Sequence, residues 1–108
     1  MIKMARLEVF LGEQDYYGHR PLAEVLLEMA ARSGITGATL WRGMEGYGRS
    51  GVLHSARLLD SSEDLPLVVE LVDTPAHIQA FMVQARGLLA RCLVAVGEVA
   101  RVSFGREL

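Results

Sequence analysis

The sequence predicts an α+β fold in which a four-stranded antiparallel sheet carries two helices on one face. Two segments, residues 5–11 and 65–72, alternate between apolar and polar residues, which is the pattern of half-buried strands. Two other segments repeat apolar residues every three or four positions, as amphipathic helices do. The elements follow one another in the order strand, helix, strand, strand, helix, strand.

The first strand and the first helix open the chain. The strand is predicted at residues 5–11 and ends at Gly12. Pro21 is expected at the first helical position, where its missing N–H is no loss. Gly34 is expected to end the helix in the left-handed conformation that glycine tolerates. The apolar side of this helix is formed by Leu22, Val25, Leu26 and Met29.

The second strand is predicted at residues 35–42, and it leads into a segment rich in glycine. Thr39, Leu40 and Trp41 favour a pleated, partly buried surface. Six of the eighteen residues 34–51 are glycine. This density indicates a long loop, or backbone that another molecule approaches closely. A returning strand is expected within residues 52–59.

The second half of the chain repeats the order of the first. Residues 65–72 form the clearest strand, and Thr74 followed by Pro75 is a helix start with Thr74 as the N-cap. An apolar stripe then predicts one helix that extends to Cys92. Gly97 is expected to break the segment, and the last strand is predicted at residues 99–104.

Two strand-helix-strand halves joined in this way make a ferredoxin-like plait, βαββαβ, because right-handed crossovers place both helices on the same side of the sheet. Each helix has one apolar stripe, so the second face of the sheet stays uncovered. Because an uncovered apolar face is a liability on a small monomer, we expect other copies of the chain to cover it. Its apolar residues are expected to be Phe10, Trp41 or Leu40, Val68, Val72 and Phe104.

Composition narrows the class of protein. The chain has 108 residues, of which 51% are hydrophobic and 22% charged, which predicts one folded domain at residues 1–108. Its eleven basic residues are scattered, which argues against binding to nucleic acid. The longest apolar run, residues 88–96, is too short to cross a bilayer, so no membrane insertion is expected. A single cysteine, Cys92, and the lack of a signal-peptide pattern predict a soluble cytoplasmic protein.

Signatures of catalysis and of metal binding are missing from the sequence. His19, His54 and His77 are far apart in the sequence, and none stands at helical i, i+4 spacing from another histidine or from Cys92, so surface histidines are expected and not a metal site. The chain also has no Ser/His/Asp or Cys/His pattern and no phosphate-binding loop of the Gly-x-x-x-x-Gly-Lys type. We therefore expect a protein that is not an enzyme and has no bound metal.

Two motifs resemble those of the nitrogen-regulatory PII signalling proteins. Residues 34–39 read Gly-Ile-Thr-Gly-Ala-Thr and residues 46–49 read Gly-Tyr-Gly-Arg, similar to the strand and the segment at the base of the PII T-loop. Over nearly its full length the chain is more similar still to the PII-like family called domain of unknown function one-ninety (DUF190). The resemblance implies a PII-like homotrimer with a regulatory ligand between subunits, ATP, ADP or AMP, and no fixed cofactor. It also implies a loop that docks on a partner such as a membrane transporter or channel.

The ligand-binding residues are expected in and around the loop. Glycine N–H groups beside a guanidinium suit phosphate or carboxylate, which assigns Arg49 to an anionic ligand. Arg42 and Arg57 stand at the two ends of the same loop. PII proteins have a basic, glycine-rich phosphate loop before the last strand, whereas residues 92–97 of this chain contain no basic residue. The full predicted set is Thr39, Arg42, Gly46, Tyr47, Gly48, Arg49 and Arg57.

Three hypotheses about function remain open at this point. The first is a PII-like sensor that binds a small anionic metabolite between subunits and acts on a partner through a flexible loop at residues 43–55. The second is an interaction protein of the same fold that needs no ligand. The third is an enzyme that uses the cleft between subunits. Nucleotide-dependent stabilisation distinguishes the first two, because a ligand that binds only the folded state raises its stability.

Overall fold

The computed structural model describes residues 1–48, 51–55 and 64–105, and a four-stranded antiparallel sheet forms its centre. The sheet has the strand order β4-β7-β1-β8, so β1 pairs with strands from the second half of the chain on both of its sides. The predicted ferredoxin-like plait is confirmed. In chain order the elements are β1 (Ile2–Gly12), β2 (Tyr16–Tyr17), β3 (Arg20–Pro21), α1 (Leu22–Arg32), β4 (Gly37–Arg42), β5 (Glu45–Gly46), β6 (His54–Ser55), β7 (Pro66–Asp73), α2 (Pro75–Gln84), α3 (Arg86–Leu89) and β8 (Leu93–Arg101).

Both long helices pack on the same face of the sheet, and the core lies between the helices and that face. Leu26 of α1 and Phe81 of α2 are almost fully buried against Leu7 and Val69 of the two central strands. This face therefore contains the alternate strand residues that the sequence pattern marks as apolar. None of the helices in the described ranges is long and apolar enough to cross a membrane.

The helix ends agree with the predicted signals at three of four positions. The side-chain oxygen of Thr74 accepts a hydrogen bond from the backbone N–H of His77 (3.3 Å), and Pro75 begins α2. Gly34 has a φ of 72°, the left-handed conformation that only glycine adopts easily. Pro21 precedes α1 as its N-cap residue instead of occupying the first helical position.

The prediction for the last strand is wrong. Strand β8 begins at Leu93 and ends at Arg101, and Gly97 lies within it. Nine consecutive residues of β8 pair with β1, and this continuous ladder outweighs the low strand propensity of one glycine. Phe104 follows the strand and is 92% exposed. The predicted single helix to Cys92 is also interrupted, because α2 ends at Gln84, Ala85 caps it, and a one-turn α3 follows.

The sheet face away from the helices, here called the open face, has its residues in straight cross-strand rows. Trp41, Val68, Phe10 and Leu93 stand opposite one another and form the first row. The register assigns Trp41 to this face, because its neighbour Leu40 pairs with Val69, which points into the core. The expected apolar residues are present on this face in part: Phe10, Val68 and Val72 lie on it with Trp41 and not Leu40, whereas Phe104 lies beyond the end of β8 and belongs to none of these rows.

The two ends of the sheet lie next to different elements of the chain. At one end, here called the closed end, β7 ends and β4 begins, next to the start of α2. At the other, the loop end, β4 ends and β7 begins, and the chain between them forms the glycine-rich loop. The strands β5 and β6 pair with each other at this loop end. The expected returning strand within residues 52–59 is present at His54–Ser55, and residues 56–59 lie outside the described ranges.

Candidate functional site

The loop leaves the sheet in close contact with the start of β7. The backbone N–H of Gly43 donates a hydrogen bond to the carbonyl oxygen of Pro66 (2.7 Å). A Cβ atom on Gly43 would lie 2.8 Å from Cγ of Pro66, and one on Gly46 would lie 3.1 Å from the same atom. Packing against the proline ring thus explains Gly43, where a larger residue would collide, and leaves little room for one at Gly46.

Arg42, a predicted ligand residue, is held by an acidic side chain at the loop end. Its Nη2 lies 2.9 Å from Oε2 of Glu13. The other carboxylate oxygen of Glu13 accepts a hydrogen bond from the backbone N–H of Leu65 (3.0 Å), and the backbone N–H of Glu13 donates to the carbonyl oxygen of Leu65 (3.1 Å). Because a guanidinium has five N–H donors, Arg42 retains donors for an anion while it contacts Glu13.

Further polar groups join the short strands to the base of the loop. The backbone N–H of Gln14 donates to Oδ1 of Asp64 (3.0 Å), and Oδ2 of Asp64 lies 3.7 Å from Nε2 of His54. The hydroxyl of Ser55 donates to Oε1 of Glu45 (3.2 Å). In the described part of the chain, Nδ1 of His54 is buried without a hydrogen-bond partner. The loop end therefore has an imidazole nitrogen with unused hydrogen-bonding capacity.

The structure brings some of the predicted site residues together and separates one. Arg42 and Gly46 both lie at the base of the loop, beside Pro66. Tyr47 follows and is 74% exposed, and the carbonyl oxygen of Gly48 accepts a hydrogen bond from the N–H of Gly51 (3.0 Å). Thr39 stands instead on the open face, where it pairs with Glu70. Arg49 and Arg57 lie outside the described residues, so their assignment stays a prediction.

The described part of the loop exposes large apolar side chains to solvent. Met44 and Tyr47 are more than half exposed on one side of the loop, and Val52 and Leu53 are about half exposed on the other. Large apolar side chains that stay exposed to solvent are frequent at surfaces that bind another protein. Of these four residues only Tyr47 belongs to the predicted ligand set, although the hydrophobicity of Met44, Val52 and Leu53 is evident in the sequence.

The closed end contains a buried acidic group that the sequence analysis missed. Asp73 is 2% exposed, and its carboxylate accepts hydrogen bonds from the N–H of Thr36 (2.9 Å), the hydroxyl of Thr36 (3.2 Å) and the N–H of Thr74 (2.6 Å). Nδ1 of His77 lies 2.8 Å from the same carboxylate. Burial alone raises the pKa of Asp73, but these hydrogen bonds, that from the N–H of Thr74 foremost, outweigh it and lower the pKa to about 2.

The chemistry of this network is structural. A carboxylate that is surrounded by four donors and ionised near neutral pH fixes the start of β4 to the start of α2. The signal in the sequence is the aspartate directly before the Thr-Pro helix start. Across the described ranges, no three His, Cys, Asp or Glu side chains converge in a way that suits a metal ion.

Comparison with known sequences gives a family match and several similar relatives, of which two follow. The sequence model of DUF190, described as Uncharacterized ACR, COG1993, matches residues 4–101. A UPF0166 protein of Aquifex aeolicus is 31% identical over 87 residues, which cover 81% of this chain and 83% of that protein. A UPF0166 protein of Methanocaldococcus jannaschii is 33% identical over 78 residues, which cover 72% of this chain and 71% of that protein.

Comparison with solved structures shows a shared fold. CPII of Thiomonas intermedia, a nitrogen regulatory PII-like protein bound to ADP, AMP and bicarbonate, superposes with a TM-score of 0.65 and 16% identity over 90% of this chain and 86% of that one. The apo form of CPII gives a TM-score of 0.57 and 13% identity over 90% of this chain and 89% of that one. At these identities the likeness concerns the fold, which is PII-like.

Proposed function

We propose that this chain, which belongs to the DUF190 family, is a PII-like regulatory protein. Its ligand is a small anionic metabolite, with an adenine nucleotide, ATP, ADP or AMP, as the first candidate. The observation that carries the proposal is the PII-like fold, which this chain shares with a regulatory protein whose structure was solved with ADP, AMP and bicarbonate. The nucleotide acts as a regulatory ligand and not as a fixed cofactor.

The proposed site lies at the loop end of the sheet, in a cleft between subunits of a homotrimer. Arg42 supports this placement, because it stands at the base of the loop with donors to spare for phosphate or carboxylate. Assembly is supported by the open face, where Trp41 is 57% exposed and Leu93 is 69% exposed in the single chain. Other copies of the chain remove such an apolar surface from water.

The output of the regulator is proposed to be a change in the loop at residues 43–55 that alters docking on a protein partner. Met44, Tyr47, Val52 and Leu53 give the described part of this loop an apolar surface suited to such docking. By resemblance to its family, we place the protein in the cytoplasm and name a membrane transporter or channel as the first class of partner to test. Neither nucleic acid nor membrane insertion has a part in this proposal.

Ligand binding is tested by thermal unfolding with ATP, ADP and AMP, each with and without bicarbonate. A nucleotide that binds the folded state stabilises it by RT ln(1 + [L]/Kd), roughly 2.7 kcal/mol at a concentration of about 100 Kd. We expect at least one nucleotide to raise the melting temperature in proportion to the logarithm of its concentration. No shift with any of them at millimolar concentration would refute the nucleotide as ligand.

The role of Arg49 is tested by Arg49→Ala. We expect the nucleotide Kd to rise about tenfold, because one charge-assisted contact to an anion is lost, while the melting temperature without nucleotide stays the same. Arg32→Ala is the matched control, because the Arg32 side chain is 78% exposed at the end of α1, which leads to the closed end of the sheet and not to the loop. An unchanged nucleotide Kd in Arg49→Ala would remove Arg49 from the site.

A ligand-independent interaction protein is the second candidate, and two observations favour it. Arg42 already contacts Glu13, and the described part of the loop exposes apolar rather than cationic side chains. This alternative predicts that a partner binds equally well with and without nucleotide, and that Tyr47→Ala weakens binding in both conditions. The third possibility, an enzyme, would be favoured if chromatography showed that the protein converts a bound nucleotide into products.

A further inference from the structure

The open face carries unpaired charges beside its apolar row. Glu8 of β1 and Glu70 of β7 stand directly opposite each other, and both are half-buried. Directly opposite residues have Cβ atoms about 5 Å apart, at which distance like charges destabilise a sheet. Among the described residues, neither carboxylate makes a hydrogen bond or an ion pair with another side chain. The isolated chain therefore leaves a like-charge pair that makes no ion pair within the described residues.

A cation without a partner lies two residues away on the same face. Arg6 stands opposite Val72 and is exposed, and in the described part of the chain its guanidinium also makes no ion pair. The open face thus presents an acidic row next to a basic position. A surface with both signs is complementary to a second copy of itself, because a rotation can place the cation of one copy on the anions of the next.

Gly97 is a second, independent sign that another chain approaches this face. It pairs with Arg6 from the edge strand β8, and a Cβ atom added there would meet no atom within 4 Å. The fold of the single chain therefore does not require glycine at this position, although glycine weakens a strand interior. Close approach of another backbone is one of the reasons for which glycine occurs inside strands.

We propose that, where copies of this chain meet at the open face, Arg6 of one copy neutralises the Glu8–Glu70 pair of its neighbour. This inference rests on the self-assembly proposed above and adds the contacts that select the partner. The apolar row of Trp41 and Phe10 supplies the buried area, and the charges fix how the copies are rotated relative to one another. Nucleic acid and anionic lipid do not suit this face, because its two carboxylates would repel phosphate.

The experiment measures the assembly state of the full chain by sedimentation velocity over a range of protein and salt concentrations. We expect Arg6→Glu to raise the concentration of half-dissociation by at least about tenfold, because the neighbour's carboxylates then meet a third negative charge. Adding Glu70→Arg to this variant should restore assembly to within about threefold of wild type. Arg86→Glu, on the helical side, is the control for the change in net charge. Far-UV circular dichroism verifies that each variant is folded.

Glu70→Gln gives a second test, in which the direction of the change in assembly strength decides. If Arg6 of the neighbour pairs with Glu70, removing that charge weakens assembly, and Glu24→Gln on the exposed side of α1 does not. Stronger assembly of Glu70→Gln would show an uncompensated repulsion and overturn the inference, as would wild-type assembly of Arg6→Glu. A wild-type chain that stays monomeric at about 100 µM would refute both this inference and the proposed trimer. An intact trimer in every variant refutes the charge pairing alone.

Discussion

The two ends of the sheet are built from the same two strands, β4 and β7, yet they differ in how completely their polar groups are used. At the closed end, the carboxylate of Asp73 is 2% exposed and accepts from donors on three sides. At the loop end, within the described ranges, the largely exposed guanidinium of Arg42 contacts Glu13, and Nδ1 of His54 is buried without a hydrogen-bond partner. The carboxylate at the closed end has internal hydrogen-bond partners, whereas groups at the loop end keep hydrogen-bonding capacity for a ligand.

This difference suggests how the fold divides stability from function. A buried, fully hydrogen-bonded carboxylate contributes to stability and offers nothing to a ligand. Partly used donors on a loop can exchange an internal partner for an external one at small cost, and for that reason binding residues are concentrated on loops held by a rigid sheet. The closed end should therefore respond to substitution in stability, and the loop end in binding.

The largest difference is expected between Asp73→Asn and Asp64→Asn, the same substitution at the two ends. Asp73→Asn should lower the free energy of unfolding near neutral pH by about 2 kcal/mol, because each unit of pKa depression corresponds to about 1.4 kcal/mol. Asp64→Asn should lower it by less than about 1 kcal/mol, because the Asp64 side chain is 34% exposed. Urea unfolding measures both. Equal losses would contradict the division between the ends.

The pH dependence of the same pair of proteins provides a second measurement. The folded-state pKa of Asp73, about 2, is below its ordinary value of 3.8, so the stabilisation is present above pH 3.8 and is lost as the pH falls towards 2. The difference in stability between wild type and Asp73→Asn should shrink over that interval. A difference that stays constant down to pH 2 would show that the charge of Asp73 contributes nothing.

A smaller effect is expected when the backbone of the loop end is crowded. Gly43→Ala places a Cβ atom 2.8 Å from the ring of Pro66 and should cost roughly 1–2 kcal/mol of unfolding free energy, because overpacking forces the backbone to shift. Gly48→Ala is the control, since a Cβ atom there meets nothing within 4 Å and the residue is outside the left-handed region. If both substitutions cost the same, packing against Pro66 does not explain Gly43.

The sequence pattern predicted which strand residues face the core better than it predicted where the strands begin and end. The alternation in β1 and β7 marks which residues face the core, because the side-chain period of a strand is two whatever the partner strand is. The start of β8 was missed, because its pairing with β1 overrides the glycine at position 97. Pairing between strands distant in sequence leaves no local pattern, so a glycine in an edge strand is easily taken for a break.

The contacts at both ends join residues distant in the sequence, and for this reason motif spacing did not reveal them. Asp73 reaches Thr36 across 37 residues, and Glu13 reaches Leu65 across 52. The N-cap at Thr74 was predictable because its partner lies three residues away. The PII-like motif indicated the loop, but the open-face position of Thr39 became evident only from the register of β4 against β7.

The smallest expected change in stability, and the most informative about the site, concerns the ion pair at the loop end. Arg42→Ala and Glu13→Gln should each change the free energy of unfolding by less than about 1 kcal/mol, because the guanidinium is largely exposed. Their effects on nucleotide affinity, measured by titration calorimetry, should have opposite signs if Arg42 binds the ligand. Arg42→Ala then removes a donor and weakens binding about tenfold, whereas Glu13→Gln removes a competing carboxylate and strengthens binding a few-fold. If Arg42 only positions the loop, both substitutions break the same contact and should weaken binding together. A common sign would therefore move Arg42 from the ligand site to the scaffold, and the loop end would in that respect resemble the closed end.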